Sequence, residues 1–150
     1  MITSGAQLHE KLKSKKQMSV EEIVKKDLDT NYKHLGYGVK NGMAILTHYK
    51  EQGADFKRVG NTLFVIMPAQ DNVVVYHTVN GDPLKTFLYN CLQFFAYLYE
   101  QGYKQALTYF SDPKTKIILE KYKIPNEQIT ESNDPEQGEF MMTTSLEKVN

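Results

Sequence analysis

At 150 residues the chain has the length of one ordinary domain, large enough to bury roughly two-thirds of the surface its unfolded form would expose. Eighteen basic and eighteen acidic residues cancel, which removes any overall pull toward polyanions and disfavours nonspecific nucleic-acid binding. No apolar run reaches the ~18 residues that span a bilayer and the first residues carry no signal-peptide pattern, so a soluble protein made in the cytoplasm, without a membrane partner, is expected.

The basic residues are lysines with one exception, Arg58, so a site that clamps carboxylate or phosphate with several planar guanidinium forks is excluded. Together with the abundance of Tyr, Asn and Ile, this is the usage an AT-rich coding sequence produces. Cys91 stands alone and cannot close an intrachain disulfide; its place on the apolar face of a helix marks it as a small core residue.

Residues 1–17 form a lysine-rich arm, with Leu8 and Leu12 as its i,i+4 apolar pair among Lys11, Lys13, Lys15 and Lys16. It is too poor in apolar residues to join the core, and Leu8, Leu12, Lys11 and Lys15 are candidates for docking onto a partner. The domain proper is expected over 18–150. Ser19-Val20-Glu21-Glu22 is a capping box that should open a helix, with Val20, Ile23, Val24 and Leu28 as its apolar face. Gly36, Gly38 and Gly42 then interrupt the chain, and a second helix over 43–52 should place Ile45, Leu46 and Tyr49 on one side before stopping at Gly53.

From Phe56 the period becomes that of a sheet. Residues 62–67 and 73–79 are β-branched and aromatic runs joined by a Pro-Ala-Gln-Asp-Asn connection, which predicts a hairpin. Their nearly unbroken hydrophobicity implies burial on both faces, with helices covering each side. Asn80-Gly81-Asp82-Pro83 is a turn. A long helix over 83–101 follows, ended by Gly102, with Leu84, Phe87, Leu88, Cys91, Leu92, Phe95, Leu98 and Tyr99 as its core stripe. Residues 104–110 predict another central strand. Asp112-Pro113, an N-cap followed by proline at the first helical position, opens a helix to about Tyr122 with Ile117, Ile118 and Leu119 as its apolar residues. Residues 125–138 read as a polar connector and 139–147 as a terminal strand.

Familiar catalytic patterns are absent: there is no Gly-x-Ser-x-Gly or nucleotide-binding glycine fingerprint, and the four histidines and Cys91 lack metal-ligand spacing, so no metal site is expected. His77, near the C-terminal end of a central strand, is the one candidate general base, with Tyr76, Tyr109 and Asp112 as other cleft candidates. For each of the four, packing or capping is the competing role.

The order of elements over residues 43–146 resembles the GNAT superfamily of acyl-CoA N-acyltransferases. The resemblance implies an α/β (α+β) fold, a mixed central sheet flanked by helices with an N-terminal helical extension. It also implies a loop after the central strand whose amides hold the coenzyme A pyrophosphate, here Val79, Asn80 and Gly81. That loop departs from the family pattern: it has one glycine, Asp82 would repel a diphosphate, and Pro83 contributes no amide. The family's tyrosine general acid is replaced by Leu119, with Tyr122 one turn later. The function expected is therefore a noncatalytic structural or interaction protein, similar to small GNAT-like proteins of tailed bacteriophages and found in the cytoplasm or the virion. It would need no cofactor and would have protein partners or self-association. The alternatives are an N-acetyltransferase using acetyl-CoA with His77 as base, and a phage effector that binds a host protein.

Overall fold

In a computed structural model, which describes residues 17–33, 36, 38–122 and 126–147, the chain forms four helices and six strands among the described residues. Helix α1 (Val20–Asn31) begins at the expected box: Ser19 Oγ accepts the Glu22 amide at 3.1 Å while Glu22 Oε1 accepts that of Ser19 at 3.2 Å. Helix α2 (Val39–Glu51) starts four residues earlier than the sequence suggests and runs straight through Gly42. That glycine is there for contact. A Cβ at Gly42 would overlap Val24 Cγ1 of α1, so its absence lets the two helices approach closely.

Strands β1 (Asp55–Val59), β2 (Thr62–Pro68) and β3 (Val73–Asn80) form an antiparallel meander. The β2–β3 connection is the expected hairpin, with Asp71 and Asn72 at φ of 49° and 65°, a left-handed pair that short polar side chains tolerate. Helix α3 (Leu84–Glu100) then crosses over to β4 (Gln105–Phe110), which lies parallel to β3. Helix α4 (Pro113–Lys121) is capped by Asp112, whose Oδ1 accepts the Lys114 amide at 2.9 Å. The chain ends with β5 (Glu127–Glu131) and β6 (Phe140–Ser145), in a six-stranded mixed sheet of order β1-β2-β3-β4-β6-β5. β5 falls inside the stretch expected to be a connector; as an edge strand paired on one side only, it needs no apolar alternation to be held.

The sheet separates two cores. On one face Phe64, Ile66, Val74, Tyr76 and Ala106 pack with Cys91, Phe94, Phe95 and Leu98 of α3. On the other, Leu63, Val65 and Val79 pack with Val24 of α1 and Leu46 of α2. The expected two-sided burial of β2 and β3 is therefore present. Three side chains assigned to the core stripe of α3 are instead exposed, Leu84 at 39 %, Leu92 at 40 % and Tyr99 at 41 %, and Phe94, with no exposure, takes the centre. Ile45 of α2 is likewise exposed, unlike its neighbour Leu46, and Ile117 and Ile118 of α4 are exposed too. No helix among the described residues is long and apolar enough to cross a membrane.

Candidate functional site

The sheet opens between β3 and β4. Their ladder consists of Val73↔Gln105, Val74↔Ala106 and Val75↔Leu107, after which Tyr76–Asn80 and Thr108–Phe110 continue without pairing each other. Backbone groups along that split must find other partners. One has: the Asn80 amide, which points away from β2, donates to Asp27 Oδ1 of α1 at 3.2 Å. By strand alternation the backbone groups of Thr78 face the same way.

His77 sits two residues past the last β3–β4 pair. It lies opposite Val65 on β2 and so shares the α1/α2 face, where its ring lies 5.2 Å from that of Tyr49 on α2. Burial holds its imidazole below the usual histidine value, which keeps it neutral at neutral pH and able to accept a proton. Two further groups belong to this corner. Burial raises the Asp27 carboxyl above its ordinary value, opposed by hydrogen bonds from Asn80 and Asn31. Desolvation, and then the charges of Asp27 and of Tyr49 when ionised, push up the Tyr32 hydroxyl. Asp27, Tyr32, Tyr49 and His77 thus gather at one end of the split, a grouping that brings together α1, its C-cap, α2 and β3. Sequence reading found His77 alone. The signal for Asp27 was available as an acidic residue on the apolar side of α1, one position before Leu28.

The loop after β3 is closed upon itself. Asn80 Oδ1 accepts the Asp82 amide at 2.9 Å and the Thr62 hydroxyl at 2.8 Å, and the Gly81 amide donates to the Asn61 carbonyl at 2.8 Å. Asp82, the acidic residue of this loop, is held within it. Its carboxylate turns inward and accepts from the Asn61 amide at 2.8 Å, Asn61 Nδ2 at 3.2 Å and Asn90 Nδ2 of α3 at 2.8 Å. Asn90, a buried polar residue on an otherwise apolar helix face, also donates to Thr62 Oγ1 at 3.0 Å. Met18 closes the arrangement, its amide donating to Asn61 Oδ1 at 3.0 Å and its sulfur lying 3.0 Å from where a Cβ on Gly81 would be.

The remaining candidates divide. Tyr76 points to the α3 core, fully buried, with its hydroxyl driven well up by burial and by neighbouring Cys91 and Glu127, so it lines no cleft. Tyr109 donates to Asn133 Oδ1 at 2.7 Å and Asp112 is a cap; neither joins the His77 corner by any described contact. Burial, with Glu127 nearby, pushes the Cys91 thiol to about 12, which keeps it protonated and unreactive. Val79 packs in the α1/α2 core. Leu8, Lys11, Leu12 and Lys15 lie outside the described residues. Among the described residues no group of three His, Cys, Asp or Glu side chains is placed to hold a metal ion.

This architecture is found in solved proteins. It is similar to an acetyltransferase of the GNAT family from Staphylococcus aureus Mu50, at a TM-score of 0.58 and 11 % identity over 85 % of this chain and 93 % of that one. A Lactobacillus plantarum protein assigned as an N-acetyltransferase matches at a TM-score of 0.44 and 12 % identity, over 57 % of this chain and 60 % of that one. No protein-family model matches the sequence, and no curated protein does. The first likeness establishes the fold: a mixed sheet flanked by helices, arranged as in GNAT proteins.

Proposed function

We propose that the chain uses the GNAT fold as a binding module without acyl-CoA chemistry. The observation that carries this reading is the loop of Asn80, Gly81 and Asp82. The amides of Gly81 and Asp82 are donated to Asn61 and Asn80, and the carboxylate of Asp82 is bonded beside them to Asn61 and Asn90. A pyrophosphate entering there would have to break these bonds and displace a like charge. Its biological setting, on this reading, is a protein assembly, either a tailed-bacteriophage particle or a complex with a host protein; the support for a phage setting is the AT-rich residue usage. Calorimetry with acetyl-CoA and with coenzyme A tests the reading. No saturable heat is expected; binding tighter than about 100 micromolar, roughly −5.5 kcal/mol, would overturn it.

One feature favours a second reading, an N-acetyltransferase: the split between β3 and β4 with a neutral His77 beside it. In that enzyme His77 would take the proton from an attacking amine, directly or through water, and Tyr49 would hold the imidazole in place. The same titration separates the two readings, because this one requires the cofactor to bind.

A further inference from the structure

Helix α3 carries two apolar faces where one would suffice. The inner one is the Phe94 stripe. About 130° around the helix, Lys85, Tyr89, Leu92, Ala96 and Tyr99 succeed one another at spacings of four, three, four and three, the a/d seam of a coiled coil. This seam faces outward at four of its five positions, with Ala96 half-buried between them. Tyr89 is 61 % exposed, Leu92 40 % and Tyr99 41 %, and Lys85 is exposed at the N-terminal end. A helix lying on a sheet needs one apolar stripe, so the second has no role in the described fold.

We propose that this seam is a self-association surface, covered by α3 of a second copy running antiparallel across a two-fold axis. The sequence of the seam is complementary to its own reversal. With the axis at the level of residue 94, Leu92 faces Ala96 of the copy, a large side chain against a small one, and Tyr89 faces Tyr99; the axis then generates the other two layers. Lys85 lies one turn beyond the outermost tyrosine and within reach of Glu100 of the copy, so each end of the contact gains an opposite-charge pair. Both residues are exposed and neither has an ion pair among the described residues. A parallel arrangement would instead set lysine against lysine, glutamate against glutamate, and leave a gap at Ala96. A lysine-rich segment is a poor occupant, because the seam itself offers one cation and only Glu100 at its flank. The contact is isologous, as closed dimers require. It stands on α3 alone and neither requires nor forbids coenzyme A.

A single helix pair is a small interface, so a reversible dimer with a dissociation constant on the order of 10 micromolar is expected. Sedimentation velocity on the full chain between about 1 and 200 micromolar should show the monomer giving way to dimer, a range bracketing that constant. Leu92→Glu should weaken the dimer at least about tenfold, because the axis brings the two new charges close together. Its melting temperature at low concentration should be unchanged, since the side chain is already exposed. Lys85→Glu and Glu100→Lys should each weaken the dimer, and the two together should restore it, a rescue that only the antiparallel register gives. A monomer at every concentration would overturn the proposal, as would a dimer indifferent to Leu92→Glu or a charge pair without rescue. A monomer that melts lower with Leu92→Glu would place a segment of the same chain over the seam, and also overturns it.

Discussion

At the scale of single residues, His77 links stability to pH in a predictable direction. Its folded value lies below the usual histidine value, so its contribution to stability is complete above that usual value and is lost as pH falls through the folded one. Asp27 works the other way: with a raised folded value it favours the fold when protonated, and its contribution declines as pH rises through that value. Comparing the native chain with His77→Gln at each pH cancels the Asp27 share. The two should melt alike near pH 7.5, and the native chain should lose more of its melting temperature toward about pH 5. Parallel curves would mean that the imidazole is not held neutral by burial. If acetyl transfer is found, the same substitution should cost at least about tenfold in rate, a modest share of what a general base supplies. Of the His77 corner only the histidine was legible, because its strand position is local. Tyr49, Tyr32 and Asp27 reach it through packing of α1 and α2 on β3, contacts between residues far apart in the chain. The inward turn of Asp82 was hidden for the same reason: its acceptors' partners, Asn61 and Asn90, lie 21 and 8 positions away.

At the scale of elements, Gly42 separates local propensity from tertiary fit. Alanine should improve an isolated helix by about 1 kcal/mol. In this fold its methyl group meets Val24, and overpacking of that kind costs about 1–3 kcal/mol. Gly42→Ala should therefore lower the urea midpoint; an unchanged midpoint would mean that α1 and α2 can separate without loss. Read from sequence alone, this glycine marked an interruption, since nothing nearby announces the opposing helix. The ends of α1 and α4 were legible because Ser19 and Asp112 act within one turn. The strands β2, β3, β4 and β6 were legible because each is a β-branched or aromatic run. The inner face of α3 was only partly so. Its apolar residues lie on two sides at once, and periodicity cannot say which stripe meets the sheet when Leu92 and Phe94 differ by two positions.

At the scale of the whole molecule, the sheet is two halves with a short seam. The β1-β2-β3 meander and the β4-β6-β5 half touch through the three β3–β4 pairs, while β6 pairs with β4 over six residues and with β5 over five. Removing everything after Gly138 would strip β4 of its longer partner and β5 of its one sheet neighbour among the described residues, leaving unpaired edges on both. Such a chain should be insoluble or should melt without a cooperative transition; a sharp, native-like melt would show that the first half stands without the second. The position of β6 also governs the order in which the sheet is completed. It enters the sheet between two strands that precede it in the chain, so until it arrives β4 presents an open edge, a vacancy that β5, held in the sheet through β6, does not fill. A neighbouring nascent chain carries the same β6, and its strand would fit that vacancy as well as the cognate one. Crowded synthesis therefore favours strand exchange between copies, and dilution, which lets β6 meet its own sheet first, protects against it.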